Sequence, residues 1–214
     1  MIEQIADIRS GRTTFEKNPN HPTIFQELLE NSNIPGSEKS DDRLGDEALV
    51  VISAGLSTTA AALTTSTFYL SFNSSTQQKL LSEFRDNSII CPSGNLDPSK
   101  LNRSTLENLP YLSGIVHEGI RLSGGGVGVR LTRIAPDQDL VYKDWIIPRG
   151  SAVGMSQLDV LLSKEIFGED VMEFRPERWE GARGKELEKK GWVPFGRGSR
   201  MCLGMKYVYD FSTS

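Results

Sequence analysis

Residues 195–204 read Phe-Gly-Arg-Gly-Ser-Arg-Met-Cys-Leu-Gly, and this stretch decides how the rest of the chain is interpreted. It places Cys202 between two glycines, Gly198 and Gly204, which allow the backbone to turn its N–H groups toward the sulfur. A thiolate stabilised in this way can ligate a metal, and the guanidinium of Arg200 is suited to a carboxylate. The alternative is a lone buried cysteine beside a glycine-rich turn.

The pattern Phe-x-x-Gly-x-Arg-x-Cys-x-Gly resembles the haem-binding loop of the cytochrome P-450 family. The resemblance implies that Cys202 is the axial ligand of the haem iron. It also implies that Gly198 and Gly204 permit the loop geometry, that Arg200 binds a haem propionate and that Phe195 shields the sulfur from water.

A second match lies on a helix that is predicted upstream of this loop. Glu118 and Arg121 stand at i, i+3 spacing and resemble the family's Glu-x-x-Arg pair. Residues 174–179, Phe-Arg-Pro-Glu-Arg-Trp, resemble its Pro-Glu-Arg-Trp segment, so that Arg178 completes a structural cluster. His117 is expected to be a neutral histidine at the surface or beside this cluster, and not a ligand.

A third match lies in the long uncharged helix. Ala54 and Gly55 resemble the small pair that makes room above the haem, and Thr58 resembles the hydroxyl that helps to deliver protons to bound dioxygen. Ser57 stands where the family usually has Asp or Glu, which leaves the acid and alcohol pair incomplete. The alternative is a threonine-rich helix with no role in catalysis.

An arginine is expected on the strand that follows the Glu-x-x-Arg helix. Arg130 and Arg133 both lie there, and Arg133 is the better match to the family's haem-propionate arginine. The sequence of residues 116–148 most resembles that of fungal members of the family that oxidise secondary metabolites.

Charge is absent between Glu47 and Lys79, over a stretch that is long enough to span a bilayer. Its many serine and threonine hydroxyls favour a helix buried inside protein over one that faces lipid. The first residues carry mixed charge and lack the pattern of a signal peptide.

Three helices are predicted from hydrophobic periodicity. The first covers about residues 42–71. The second begins at Ser75, where the spacing resembles a capping box, and ends by Asn87. The third begins at Asn108 as its N-cap and ends at the glycine run after Ser123.

Short β-type runs follow the third helix, separated by turn signals. They cover residues 127–134, 140–142, 145–147 and 152–155. Residues 166–198 are predicted to be mostly loop, with a charged, solvated segment over residues 183–190. The fold class is therefore mainly α with a small antiparallel β-sheet.

The resemblance covers nearly the whole chain but begins just before the family's long central helix. Residues 1–214 are therefore predicted to be a single incomplete domain that lacks the N-terminal half of the fold and leaves core surface exposed. Residues 206–214 replace most of the helix that follows the haem loop. The resemblance implies the endoplasmic reticulum membrane for the full-length family, and this chain is expected to lack an anchor and to be cytoplasmic or of unknown location.

The function implied by the resemblance is that of a haem-dependent monooxygenase. It would insert one oxygen atom of dioxygen into a small organic, lipophilic secondary metabolite, with electrons from NADPH through NADPH–cytochrome P-450 reductase. The net charge of -4 gives no basic field for nucleic acid, and two cysteines give no disulfide framework.

Two alternatives remain open. The chain is a truncated, non-catalytic fragment with at most haem binding, or it is a peroxide-using or rearranging haem-thiolate enzyme in which Ser57 replaces the usual acid.

Overall fold

The structure is a computed structural model that describes residues 2–10, 24–124 and 132–205. The chain divides into two compact units, residues 1–56 and residues 57–214. The predictions for residues 125–131, which include Arg130, and for residues 206–214 fall outside the described residues.

The first unit contains two short helices, α1 (Ile2–Ser10) and α2 (Ile24–Glu30), a 3-10 turn (Gly36–Lys39) and the beginning of α3 (Asp41–Phe72). The ammonium of Lys39 donates to the carbonyls of Leu29 and Asn31 at 2.9 and 2.8 Å. These bonds satisfy carbonyls at the C-terminal end of α2, where a positive charge is favourable.

The predicted long helix is confirmed, because α3 covers the whole uncharged stretch up to Phe72. The prediction that this helix is buried is wrong for the described residues. Large apolar side chains of α3 are exposed, among them Leu49, Val50, Ile52, Leu56, Phe68 and Phe72. A helix that is apolar all round needs cover on every side, and the described residues cover only part of it. Helix α3 is also long and apolar enough to cross a membrane, but one helix of this kind is weak evidence for a membrane span.

Helix α4 (Ser74–Asp86) forms as predicted, but its N-cap is Asn73 and not Ser75. The Asn73 side chain accepts a hydrogen bond from the backbone N–H of Thr76 at 3.1 Å. The side-chain carbonyl oxygen of asparagine accepts a hydrogen bond from an unpaired N–H as well as a serine hydroxyl does. The serine pattern therefore misplaced the N-cap by two residues.

Helix α6 (Pro110–Leu122) also begins differently from the prediction, because Asn108 ends the short helix α5 (Arg103–Glu107) and is not the N-cap of α6. The carboxylate of Glu83, on α4, accepts hydrogen bonds from the backbone N–H groups of Tyr111 and Leu112 at 2.7 and 2.9 Å. An acidic side chain from a neighbouring helix thus caps α6, which no local pattern can predict.

Two glycines let α6 lie very close to its neighbours. A Cβ added to Gly114 would lie 2.5 Å from the carbonyl oxygen of Pro176, and one added to Gly119 would lie 1.8 Å from the hydroxyl of Ser66. The approach at Gly114 requires glycine because its neighbour is backbone, whereas at Gly119 the Ser66 side chain would have to rotate away. Helix α6 is buried along most of its length and forms the centre of the second unit.

The strands form two antiparallel ribbons, each of two strands. β1 (Arg133–Ile134) pairs with β4 (Ala152–Val153), and β2 (Leu140–Tyr142) pairs with β3 (Trp145–Ile147). The fold class of mainly helical structure with a little antiparallel β-structure is therefore confirmed, although the four runs do not join in one sheet.

The last part of the unit contains more helix than predicted. It includes α7 (Gln157–Leu161), α8 (Lys164–Phe167), a 3-10 turn (Pro176–Trp179) and α9 (Gly181–Gly191). The charged segment over residues 183–190 is thus a helix and not a loop. Its charged side chains are exposed as predicted, while Gly184 and Leu187 are buried on its inner side.

Candidate functional site

Glu118 and Arg121 form a fully buried ion pair on α6. The guanidinium of Arg121 donates to both carboxylate oxygens of Glu118, each at 2.8 Å, and both side chains are 0% exposed. The i, i+3 spacing places them on one helix face, and the two parallel bonds fix both side chains.

The remaining donors of Arg121 bind backbone carbonyls. They reach Leu161 at 3.2 Å, Val171 at 2.6 Å and Glu173 at 3.3 Å. Arg121 therefore holds the end of α7 and the segment before the Pro176–Trp179 turn against α6, which satisfies a charge that is costly to bury.

Glu118 accepts two further hydrogen bonds, from the backbone N–H of Arg175 at 3.0 Å and from the indole N–H of Trp179 at 2.8 Å. Arg178 lies beside this carboxylate, with its Nε 3.6 Å from Glu118 Oε1. The structure thus brings together the three residues that the sequence predicts as one cluster.

Arg178 also ties the cluster to the loop after α8. It donates to the backbone carbonyl of Phe167 and to both the side chain and the carbonyl of Asp170, at 3.1 and 2.9 Å. Burial acts to raise the pKa of Asp170, but the hydrogen bond and charge of Arg178, with the charge of Arg175, hold that pKa below its usual range.

The cysteine loop is a series of tight turns. Gly196 and Gly198 have φ values of 70° and 85°, in the left-handed region that favours glycine. The backbone N–H of Cys202 donates to the carbonyl of Phe195 at 2.8 Å, and that of Met201 donates to the carbonyl of Gly198 at 3.1 Å. These bonds close the loop on itself and hold Cys202 at its exposed end.

Cys202 has a free, exposed thiol. Gly204 does not need to be glycine for steric reasons, because an added Cβ would make an ordinary contact of 3.8 Å with the Cys202 sulfur. Phe195 is half-buried and packs against a cluster of buried residues on α3 and α6.

The two arginines predicted to bind propionates are both exposed. Arg133 lies on β1 and Arg200 lies in the cysteine loop. Neither guanidinium forms an ion pair with another residue in the part of the chain that the structure describes.

The predicted oxygen-binding residues follow one another on α3, where Ala54 and Ser57 are exposed and Gly55 and Thr58 are half-buried. The next residue, Thr59, is buried, and its hydroxyl has no hydrogen-bond partner among the described residues. Thr58 and Cys202 are placed by different elements of the second unit.

The sequence prediction missed a cluster of three aromatic rings. His117, Trp179 and Trp192 contact one another in a triangle: the His117 ring centroid is 4.7 Å from each indole, and the two indoles are 4.8 Å apart. Burial lowers the pKa of His117 below its usual value, although the carbonyl of Ser113 and the charge of Glu188 oppose this effect. The histidine is therefore neutral, and it is buried beside the ion-pair cluster, which is the second of the two predicted positions.

Arg197 was also missed. Its guanidinium donates to the carbonyls of Glu188 and Lys189 at 3.3 and 2.8 Å, so the cysteine loop caps the C-terminal end of α9. A basic residue soon after a helix end is the one sequence signal for such a cap, and here the end itself was not predicted.

Comparison with known proteins matches nearly the whole chain. The sequence model of the family described as cytochrome P450 matches residues 3–207. Cytochrome P450 monooxygenase sdnE of Sordaria araneosa is 47% identical over 88% of this chain and 36% of its own length. Cytochrome P450 monooxygenase tndB of Aspergillus flavipes is 38% identical over 96% of this chain and 41% of its own length.

A third relative, named fusicoccadiene C-8 hydroxylase, of Phomopsis amygdali, is 37% identical over 87% of this chain and 34% of its own length. The chain thus spans between a third and about two fifths of the length of these curated relatives. Because the family match includes the buried Glu118 cluster and the Cys202 loop, the chain belongs to the cytochrome P450 family.

Proposed function

We propose that this chain is part of a haem-thiolate monooxygenase domain that inserts one oxygen atom of dioxygen into a small, lipophilic organic substrate. The observation that carries the proposal is the exposed thiol of Cys202, which a glycine-shaped loop holds in place. Family membership supports the reaction class, and the curated relatives named above are fungal monooxygenases or a hydroxylase.

The residues around Cys202 fit a haem. The side chains of Met201 and Leu203, which flank it in the sequence, are 42% and 102% exposed and offer apolar surface to a flat, apolar ring. No group of three His, Cys, Asp or Glu side chains that could hold a metal ion occurs among the described residues. A single thiolate with no competing ligands suits the axial position of a haem iron better than a protein-only metal site.

When bound, haem supplies the iron chemistry that activates dioxygen, and a thiolate ligand favours cleavage of the O–O bond. The task of the protein is then to hold and orient the group. Cys202 would ligate the haem iron, Arg200 and Arg133 would bind the propionates, and Phe195 would keep water from the sulfur.

Proton delivery is assigned to α3. The hydroxyl of Thr58 would donate and accept protons where haem activates dioxygen, and the small residues Ala54 and Gly55 on the same helix would leave room there. Ser57 offers a hydroxyl where a carboxylate is usual, so it can relay a proton but has no ordinary acidity with which to supply one. Proton transfer through Ser57 is therefore expected to be slower than through an acid.

The electron source, substrate and location are proposed from the family. Electrons would come from NADPH through a reductase, and the substrate would be a lipophilic secondary metabolite. The whole protein would act at the endoplasmic reticulum membrane.

A carbon monoxide difference spectrum tests the ligand. The chain is loaded with haem, reduced and exposed to carbon monoxide, beside the variants Cys202→Ser and Cys91→Ser. Cys91 is the matched control, because it is the second free cysteine and is half-buried in a distant part of the sequence. We expect the red-shifted thiolate Soret band in the wild type and in Cys91→Ser, and not in Cys202→Ser. Its survival in Cys202→Ser would refute the assignment.

A non-catalytic fragment with at most haem binding is the second candidate. The exposed apolar side chains of α3 favour it, because such surface costs free energy in water. Hydrogen exchange with and without haem separates the two. The backbone amides of a non-catalytic fragment stay unprotected when haem is added, whereas haem protects the amides of the cysteine loop in an enzyme.

A peroxide-using haem-thiolate enzyme is the third candidate, and Ser57 is the residue that favours it. A peroxide brings its own protons and electrons to the site and needs neither an acid at position 57 nor a reductase. Product formation with peroxide, and none with reductase and NADPH, would identify this activity.

A further inference from the structure

The aromatic cluster of His117, Trp179 and Trp192 lies between the buried ion-pair cluster and the cysteine loop. Trp179 is fixed on one side, because its indole N–H donates to the Glu118 carboxylate at 2.8 Å. Trp192 is the residue that follows α9 and begins the segment leading to Cys202. His117 lies beside the two indoles, which also contact each other, and it contacts both.

The orientation of the His117 ring is fixed by a hydrogen bond within α6. Its Nδ1 lies 2.7 Å from the carbonyl oxygen of Ser113, which can only accept, so Nδ1 carries the proton. Nε2 then faces Glu188 of α9, with the nearest carboxylate oxygen 3.6 Å away. A ring with one tautomer and one orientation offers a fixed surface against which both indoles pack.

The position of Trp192 is transmitted to Cys202 through two short steps. Trp192 and Phe195 pack against the same buried cluster of Ala62, Val116 and Ile120. The carbonyl of Phe195 then accepts the hydrogen bond from the backbone N–H of Cys202 at 2.8 Å. A shift of Trp192 is therefore expected to change the packing of Phe195, whose carbonyl holds the cysteine.

We propose that His117 is a positioning residue, which through Trp192 and Phe195 fixes the loop that presents the Cys202 thiol. The role in catalysis rests on the proposed function, in which this thiol is the iron ligand. The positioning itself is a property of the protein without haem, so it is tested separately.

The test is hydrogen exchange of the Cys202 backbone amide in the full chain without haem. His117→Ala removes the ring that contacts both indoles. We expect its Cys202 amide to exchange about tenfold faster than that of the wild type, the scale of two lost ring contacts. His117→Phe keeps a flat ring of similar size and is expected to restore protection to within about threefold of the wild type.

Leu106→Ala is the control for general loss of stability. Leu106 is buried in a separate cluster with Ile89 and Leu109, which does not include the three aromatic rings. The exchange rates are compared under conditions in which global unfolding contributes little. Equal acceleration in Leu106→Ala and His117→Ala, or no acceleration in His117→Ala, would overturn the proposal.

A second readout uses the chain loaded with haem. His117→Ala is expected to lower the fraction of the carbon monoxide complex that shows the thiolate band, while Leu106→Ala and His117→Phe keep it. A wild type that shows no thiolate band refutes the proposed function but leaves the amide result standing. A faster amide with an unchanged band refutes the effect of this positioning on the ligand.

Discussion

At the residue scale, the Glu118–Arg121 pair shows what the sequence could and could not predict. The i, i+3 spacing and the resemblance predicted the pair and its link to Arg178. They gave no sign that Trp179 and the carbonyls of Leu161, Val171 and Glu173 complete it, since these partners lie 40 to 61 residues away along the chain. Such contacts depend on the packed fold and not on local spacing.

Removing one charge from this pair should be severe. In Arg121→Met, the carboxylate of Glu118 stays buried without its main partner, and such losses cost about 3–5 kcal/mol in the free energy of unfolding. Denaturant unfolding measures the loss. Glu186→Gln is the matched control, because Glu186 pairs with Lys190 on the exposed side of α9 and should leave the midpoint nearly unchanged. Equal effects of the two variants would show that burial does not determine the cost.

His117 predicts a dependence of stability on pH. Burial lowers its pKa in the folded chain below the ordinary value, so the unfolded chain binds a proton more readily. The contribution of neutral His117 is therefore complete above the unfolded pKa of about 6.5 and declines as the pH falls toward the lower folded pKa. Unfolding between pH 8 and pH 5 should show a steeper fall for the wild type than for His117→Phe, and parallel curves would contradict this.

At the element scale, helix ends were the least predictable feature. The helical stretches of α3, α4 and α6 follow from periodicity, but Asn73 and Glu83 supply caps that the local patterns assigned to Ser75 and Asn108. Glu83 reaches α6 from another helix and satisfies two N–H groups at once. Helix α9 was missed because its apolar face is narrow, with Leu187 as its only large buried apolar side chain within the described helix.

Loss of the Glu83 cap should destabilise the second unit. Glu83→Ala leaves the N–H groups of Tyr111 and Leu112 without their acceptor, at a cost of about 1–2 kcal/mol in the free energy of unfolding. Glu107→Ala, on the neighbouring helix α5, removes an exposed carboxylate that pairs with Arg103 on the same helix, and it is expected to have a much smaller effect. Chemical denaturation of both variants checks this, and an inert Glu83→Ala would contradict the capping role.

The close approach at Gly114 gives a second prediction at this scale. Gly114→Ala drives a methyl group into the carbonyl of Pro176 and should cost about 1–3 kcal/mol. The same substitution at Gly55, also within a helix, meets nothing within 4 Å and should stabilise that helix slightly. Opposite signs of the two changes in melting temperature are expected, and equal signs would contradict the packing of α6.

At the scale of the whole molecule, the fold class was predicted and the burial of α3 was not. Composition identified α3 as a long apolar helix, but composition does not state what lies against each face. Large side chains of α3 such as Leu49, Val50 and Leu56 are exposed in the structure, while Leu44, Ala48 and Ala62 are buried. The central claim, that Cys202 ligates haem iron, depends on the exposed cysteine loop and on the family match.

Electron paramagnetic resonance of the ferric haem complex tests that claim most directly, because the spread of the low-spin g values reports the axial ligand. The wild type and Cys91→Ser are predicted to give the narrow spread of a thiolate-ligated iron, which is lost in Cys202→Ser. A narrow spread that persists in Cys202→Ser, or that is absent from the haem-loaded wild type, would contradict the account.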